Sequence, residues 1–383
     1  MSQALTGLKI LDLTMNLPGP YMTWLLASLG AEVIKVENPV GGDYARALGG
    51  GQSSPFFAAL NRNKKSLALN LKHFEGKRLF LELLEGYDVL VEGFRPGTMD
   101  RLGLGFEAVN EIHSRLIYVS ISGYGQDGPY RLRAGHDINY LALAGVIGMT
   151  GSKNGEPGIP GVQVADIAGG SLMALAALLA AIIQRNRTGR GQFIDTSMFH
   201  GSLSLATMVF SGVDRGLECP EPGKMLLNGR FPCYGLYRTA DAGYMSLGAL
   251  EFKFWQNFCA AVGRDDLAAQ QFGGPQVVVE LERLFASRTL SEWIKMMESA
   301  DACCEPVLTL HDAVDSPLVD ARKMVNPAPD GGRFLGCPIK MSGSHPSADV
   351  PAPELGQHTC EILGRLGLNK EQMESLSKQG VIG

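Results

Sequence analysis

At 383 residues, the chain is longer than one average domain, so two domains, or one large domain with an insertion, are expected. Hydrophobic residues make up 45% and charged residues 19% of this globular composition, and a formal net charge of -5 argues against a nucleic-acid partner. Seven cysteines without a Cys-x-x-Cys pair fit neither a disulfide framework nor a zinc site, which favours a cytoplasmic location.

The first half of the chain alternates short apolar strands with helical patterns. A strand at 9–14, a helix at 21–29 and a strand at 32–37 form a βαβ unit. The loop of this unit lacks Gly-x-Gly-x-x-Gly, which disfavours a nicotinamide or flavin cofactor. The alternation continues with strands at 66–71, 88–92, 116–121 and 192–196 and helices at 74–84 and 171–187. We therefore predict an α/β fold with a Rossmann-like, mostly parallel sheet in a large domain.

The composition changes at 219–237, which is rich in Pro and Gly and is the best candidate for a domain boundary. A hairpin at 237–248, a helix at 252–262 and a capping box from Thr289 to Glu292 follow. We predict a large domain at 1–218, a smaller α+β domain with linkers at 219–334, and a return of 335–383 to the large domain. These closing residues include helices at 359–366 and 370–378.

The longest apolar run, 172–183, has too few residues to span a bilayer. We therefore predict a buried helix at this place and no membrane partner.

Four cationic residues flank the predicted strand 66–71: Arg62, Lys64, Lys65 and Lys72. One interpretation is a solvated turn. The other is a site for a phosphorylated ligand at the end of the strand.

Asp166 precedes a long helical pattern whose first turn contains Gly169 and Gly170. The simpler interpretation is a helix N-cap. The functional interpretation uses the same position, because amides at a helix N-terminus stabilise a carboxylate or an oxyanion. The two glycines would then let a ligand approach the backbone closely.

His136 also precedes a helical pattern, and its unperturbed pKa near neutrality suits proton transfer. A structural, hydrogen-bonded histidine is the alternative. Asp137 and Asn139 can orient the ring, and Gly135 permits a tight approach. No His or Cys cluster in the sequence suggests a metal, so we predict none.

Glu251 follows the predicted hairpin and begins a helix, where an acidic residue needs no function to explain it. Facing His136 from another domain, it would fix one tautomer of the imidazole and raise its basicity. The sequence contains no Gly-x-Ser-x-Gly elbow and no cysteine motif, so a serine or cysteine hydrolase is disfavoured.

The residues around His136 and Asp166 resemble a known family. The runs are Gly135-His136-Asp137-Ile138-Asn139-Tyr140 and Ala165-Asp166-Ile167-Ala168-Gly169-Gly170, with further matches at 61–67, 93–97, 188–192 and 356–359. Together they resemble the α-methylacyl-CoA racemases, a branch of the class III CoA-transferase (CaiB/BaiF) superfamily. The likeness covers nearly the whole chain, and the histidine-containing run marks the racemase branch.

The resemblance implies an interlocked homodimer that binds an acyl-CoA thioester, with coenzyme A as part of the substrate and no separate cofactor. It places the catalytic pair on His136 and Asp166 and the supporting glutamate on Glu251, contributed by the partner chain. It places CoA contacts on Asn38, Leu69, Asn70, Leu71, Lys72, Arg95, Gly135, Asp137, Ile138, Asn139 and Tyr140. Asn38 stands where the racemases often carry arginine, and 227–230 also departs from their acidic, glycine-paired loop.

Three activities are compatible with these residues. The first is a racemase or epimerase that interconverts (R)- and (S)-2-methylacyl-CoA by two-base transfer of the α-proton through an enolate. The second is a class III CoA-transferase in which Asp166 is the nucleophile, which needs no histidine. The third is an inactive CoA-binding protein, which the presence of His136, Asp166 and Glu251 disfavours.

Overall fold

The computed structural model describes residues 3–49, 54–153, 155–328, 331–346 and 349–383. The chain divides into two compact units, the first formed by 1–144, 162–205 and 322–383 and the second by 145–161 and 206–321. These units group 145–161 and 206–218 with the second body, whereas the sequence-based division assigns both stretches to the large domain. That division stays a prediction.

The first unit is built on a six-stranded parallel sheet with strand order β3-β2-β1-β4-β5-β6. The strands are β1 Lys9–Asp12, β2 Glu32–Glu37, β3 Lys65–Ala68, β4 Val89–Glu92, β5 Ile117–Ser122 and β6 Phe193–Ser197. The predicted α/β class and parallel sheet are confirmed. The chain order reverses between β1 and β4, and parallel sheets of this kind generally bind ligands at the carboxyl edge beside such a reversal.

The α-helices are numbered in chain order. They are α1 Pro18–Ser28, α2 Pro55–Asn61, α3 Phe74–Leu84, α4 Thr98–Leu102, α5 Phe106–Ile112, α6 Asp137–Leu143, α7 Val146–Met149, α8 Met173–Thr188, α9 Met198–Leu205, α10 Thr207–Val213, α11 Phe252–Ala261, α12 Pro275–Phe285, α13 Leu290–Met297, α14 Leu310–Val314, α15 Pro317–Arg322, α16 Thr359–Gly364 and α17 Lys370–Lys378.

Helices cover both faces of the parallel sheet because neighbouring strand residues point to opposite sides. Ile10 packs with apolar residues of α1 and α8, whereas the adjacent Leu11 packs with residues of α3, α16 and α17. Both side chains have no exposed surface. The closing helices thus contribute to the core of the first unit.

The apolar run predicted to be a buried helix belongs to a longer one. Residues Ala165–Leu172 form a π-helical segment that continues into α8 without a break. Within the described residues, the resulting helix of 24 residues is the one whose length and composition would allow it to cross a membrane. The argument that the run is too short was therefore wrong. Leu178 is buried in the first unit, whereas Ile183 is exposed.

The second unit contains a three-stranded antiparallel sheet of β7 Tyr234–Arg238, β8 Tyr244–Gly248 and β9 Cys304–Pro306. The predicted hairpin is confirmed, with Ala242 in the left-handed region at its turn. The predicted capping box from Thr289 to Glu292 opens α13. Helix α12 and the small hairpin of β10 Val325–Pro327 and β11 Arg333–Leu335, which lies in the first unit, were not predicted.

Candidate active site

His136 is the N-cap residue of α6, so the expected position ahead of a helix is confirmed, although that helix has seven residues rather than many. Its backbone amide donates to Asn139 Oδ1 at 3.0 Å. The side chain of His136 is exposed, whereas Tyr140, one turn later, is buried. The helix therefore holds the backbone of His136 and leaves the imidazole open to a ligand.

Gly135 is needed because the Tyr140 ring folds back over it. A Cβ atom at Gly135 would lie 2.7 Å from Tyr140 Cε1 and 2.9 Å from the Tyr124 hydroxyl, closer than such atoms approach. The Tyr140 hydroxyl donates to the Gly135 carbonyl oxygen at 2.6 Å. This loop follows β5, and its bracing fixes the direction from which the chain enters the His136 cap.

Asp166 is the second residue of the π-helical segment, and Val164 occupies the N-cap position. The prediction that Asp166 is itself an N-cap was therefore wrong. Single π-helical turns inside α-helices are rare and are frequent at functional sites. The Asp166 carbonyl oxygen accepts from the Ser171 hydroxyl at 2.9 Å, and the same hydroxyl lies 2.6 Å from the Pro18 carbonyl oxygen. The segment is thereby attached to the start of α1.

The two glycines after Asp166 face another helix rather than a ligand. A Cβ atom at Gly169 would lie 2.7 Å from the Met198 carbonyl oxygen, and one at Gly170 would lie 2.9 Å from Met198 Cγ. From the opposite side, a Cβ atom at Gly201 would lie 1.9 Å from the Gly169 carbonyl oxygen. The expectation that these glycines let a ligand approach the backbone was wrong, because α9 fills the space beside them.

The loops that carry His136 and Asp166 meet through Asp137. Its Oδ1 atom accepts a hydrogen bond from the Asp166 backbone amide at 3.0 Å. Asp137 directly follows His136 and is half-buried. The structure therefore brings the backbone of one predicted catalytic residue against the neighbour of the other.

Burial, followed by the negative charge of Asp137, raises the pKa of Asp166 to about 7. Burial, followed by the charge of Asp166, raises the pKa of Tyr140 to about 12, so its phenol stays protonated. A carboxyl group with a pKa near neutrality can both hold and release a proton under physiological conditions. Asp166 is thus suited to acid–base work.

The predicted CoA contacts Asn38, Asn70, Leu71, Lys72 and Arg95 follow strands of the parallel sheet at its carboxyl edge. The backbone amide of Asn70 donates to the Val381 carbonyl oxygen at 2.8 Å, and its side chain holds the Lys72 amide at 3.1 Å. Leu69 is buried and bridges to Ile382. Arg95 and Lys72 are exposed, and Asn38 Oδ1 accepts from the Val40 amide. Gly135 lies in the loop that follows β5, and Ile138 and Asn139 lie in the first turn of α6.

The four cations around β3 do not act as one group. Lys64 is 3% exposed and pairs with the buried Asp12, and Arg62 pairs with Asp349. Lys65 pairs with Glu361 across the surface. Neither the solvated turn nor the phosphate site describes Arg62 and Lys64, whose charges are neutralised inside the first unit. Lys72 is the member whose side chain has no ion pair among the described residues.

Glu251 lies in the second unit, where it is the exposed N-cap residue of α11. The prediction that it begins a helix is confirmed. Among the described residues, no group of three or more His, Cys, Asp or Glu side chains could hold a metal ion.

The contact between Asp137 and Asp166, and the attachment of Ser171 to Pro18, were missed by sequence reasoning. No local sequence pattern indicates either contact, because each joins residues that are far apart in the chain. The one sequence hint was the pair of small residues at Gly170 and Ser171, which indicates close packing without naming the neighbour.

The six-stranded parallel sheet and the sequence runs around His136 and Asp166 agree with a match to a known family. The sequence profile of CoA-transferase family III matches residues 5–359. The chain belongs to this family, and it is an enzyme of the family that acts on acyl-CoA thioesters.

Individual relatives carry both kinds of activity. The chain is 36% identical to an acyl-CoA transferase from Fusarium pseudograminearum, over 99% of this chain and 88% of that protein. It is 34% identical to the alpha-methylacyl-CoA racemase of Homo sapiens, over 99% of this chain and 97% of that protein. The crystal structure of a CaiB/BaiF family protein from Brucella suis matches with a TM-score of 0.83 and 29% identity, covering 96% of this chain and all of that one.

Proposed function

We propose that this enzyme is a racemase or epimerase that interconverts (R)- and (S)-2-methylacyl-CoA thioesters. The observation that carries the proposal is a hydrogen bond that holds the segments of the two candidate bases together. The Asp166 backbone amide donates to the carboxylate of Asp137, the residue that follows His136. An imidazole and a carboxyl group whose pKa is about 7 can together hold one proton at neutral pH. That is the requirement for a reaction in which one base removes a proton and another returns one.

Two bases on opposite faces of the α-carbon account for inversion. In one direction the neutral imidazole of His136 removes the α-proton, the electron pair of the C–H bond moves into the enolate, and protonated Asp166 delivers a proton to the other face. In the reverse direction the roles exchange. The α-proton of a thioester is far less acidic than either side chain, so stabilisation of the enolate oxygen must contribute most of the barrier lowering. Backbone amides at the start of α6 are our candidates for this contact.

We propose that the CoA portion contacts the residues that follow β2, β3 and β4, with Lys72 and Arg95 as candidate phosphate ligands. Both cations are exposed, and the ion pairs of the described residues do not include them. Arg62, Lys64 and Lys65 already have acidic partners. We therefore do not expect these three cations to take over the contact of the arginine that the racemases often carry at the position of Asn38.

We also propose an interlocked homodimer, in which Glu251 of the partner subunit supports the imidazole of His136. A carboxylate on one ring nitrogen would fix the tautomer whose other nitrogen is free to accept the α-proton.

The test is to incubate one epimer of a 2-methylacyl-CoA in deuterated water without an acceptor acid, and to follow mass and chirality together. We expect one deuterium per turnover at the α-carbon and approach to a mixture of epimers. His136→Ala should lower the rate by about 10²-fold or more, the range of positioned acid–base catalysis, while CoA binding is kept. Full turnover by this variant would remove His136 from the mechanism.

The second candidate is a class III CoA-transferase, which the similarity to the Fusarium acyl-CoA transferase favours. In that reaction the ionised Asp166 attacks the thioester carbonyl, the C–S bond breaks, and CoA thiolate leaves a mixed anhydride. Hydroxylamine added during turnover would then convert Asp166 to a hydroxamate. Trapping of Asp166 together with absent α-deuteration would replace the racemase by the transferase.

A further inference from the structure

The carboxylate of Asp137 occupies an unusual place for an acidic side chain. It accepts a hydrogen bond at 3.0 Å from the amide of Asp166, whose own side chain is also a carboxyl group. Two acidic residues are therefore held side by side in a half-buried setting. Like charges in such a setting disfavour each other's ionised forms.

The other sides of the Asp166 turn are fixed by neutral contacts. The Ser171 hydroxyl joins the Asp166 carbonyl oxygen to that of Pro18, and Gly169 and Gly170 lie against Met198 of α9. None of these contacts reaches the His136 loop. The Asp137 hydrogen bond joins the backbone of Asp166 directly to the residue that follows His136.

Helix α6 presents Asp137 and Tyr140, and the phenol of Tyr140 is uncharged because its pKa is raised. Pro18 of α1 and Met198 and Ser202 of α9 lie beside Ser171, Gly169 and Gly170 of the same segment, and none of the three titrates. Asp137 is therefore the charged neighbour that acts on the Asp166 carboxyl group.

We propose that Asp137 is a positioning residue with two separable effects: its carboxylate anchors the Asp166 turn to the His136 cap, and its charge adds to burial in favouring the protonated form of Asp166. This inference rests on the proposed function and deepens it. A racemase needs Asp166 to alternate between protonated and ionised forms, whereas a transferase needs it ionised. The same charge would then favour the first reaction and hinder the second.

Two variants separate the effects. Asp137→Asn keeps an oxygen that can accept from the Asp166 amide but removes the charge, whereas Asp137→Ala removes both. Misplacement of a catalytic group by about 1 Å can cost about 10²-fold in rate. We expect Asp137→Ala to lower kcat for α-deuterium exchange by about that factor and Asp137→Asn by less than about tenfold at its own pH optimum. Asp127→Asn, an exposed acid nearby in the chain, is the matched control.

The charge effect is measured on the substrate-free enzyme by infrared titration of protein with isotope-labelled aspartate. The band of the protonated Asp166 carboxyl group is identified by its loss in Asp166→Asn. We expect the midpoint of this band to move to lower pH in both Asp137 variants and to stay in place in Asp127→Asn, because removal of a negative neighbour favours the ionised form.

An unmoved midpoint in both variants would overturn the proposal, and so would a rise in KM at unchanged kcat, which would make Asp137 a substrate contact only. The titration needs no substrate, so it tests Asp137 independently of the reaction. If the wild-type enzyme fails to exchange the α-hydrogen while the midpoint still moves, the racemase assignment fails and the role of Asp137 stands. A transferase rate that increases in Asp137→Asn would mark that case.

Discussion

Asp166 retains its proton up to about neutral pH because burial and the charge of Asp137 both disfavour its carboxylate. The ionised form of Asp166 therefore lowers the free energy of unfolding. The unfolded chain, in which the carboxyl group has its ordinary pKa near 4, binds fewer protons than the folded one between the two values. Stability from this group is therefore present at low pH and is lost as pH rises from about 4 to about 7.

Asp166→Asn should remove this dependence because the amide does not titrate. We expect the free energy of unfolding of the variant, relative to the wild type, to increase between pH 5 and pH 8. Urea unfolding at the two pH values and matched protein concentration measures the difference. An equal difference at both values would mean that Asp166 titrates normally.

At the scale of elements, the position of Asp166 depends on the crossing of the π-helical segment with α9. Gly169 and Gly201 face each other so closely that the carbonyl oxygen of Gly169 occupies the space of a Gly201 side chain. Within the π-helical segment, the Ser171 hydroxyl also donates to the Asp166 carbonyl oxygen five residues earlier. Close packing and the π-helical turn together direct Asp166 towards α6.

Gly201→Ala should therefore destabilise the fold by about 1–3 kcal/mol, the usual range for overpacking, and lower kcat by displacing Asp166. Gly148→Ala is the matched control, since a Cβ atom there would meet nothing within 4 Å and the residue lies in α7. That change should be neutral or stabilise by up to about 1 kcal/mol. Urea unfolding and the deuterium-exchange assay measure both. Unchanged stability of Gly201→Ala would show that the two helices can separate without cost.

At the scale of the whole molecule, several large apolar side chains are exposed to solvent in the monomer. Met208 and Phe210 of α10 are each 64% exposed. A contiguous exposed apolar patch would be a candidate interaction site. A second copy of the chain is the partner expected from the proposed homodimer.

We predict that Phe210→Glu weakens the proposed homodimer because it places a charge in a surface that must lose its water on association. Sedimentation velocity over a range of protein concentrations should show an increase in the dissociation constant of at least about tenfold, which corresponds to about 1.4 kcal/mol. Phe210→Tyr, which keeps the ring, is the control. A variant dimer as tight as the wild type would exclude this face from the interface.

The sequence predicted much of the fold because the relevant interactions are local. Buried parallel strands appear as short apolar runs, and the hairpin turn and the capping box at Thr289 depend on a few adjacent residues. The motif residues His136 and Asp166 could also be found in this way. The helix at 275–285 is amphipathic and was overlooked, and the hairpin at 325–335 lies in a stretch with no regular period.

The sequence by itself determined the α/β class, the alternation of the main strands and helices in the first half of the chain, and the identities of the candidate bases. Only the tertiary structure decided that Lys64 pairs with a buried aspartate, that Gly169 and Gly170 admit α9, and that Asp137 holds the Asp166 amide. The physical reason is distance along the chain. Periodicity and capping are properties of neighbouring residues, whereas ion pairs, close helix contacts and pKa values depend on groups that folding brings together from separate segments.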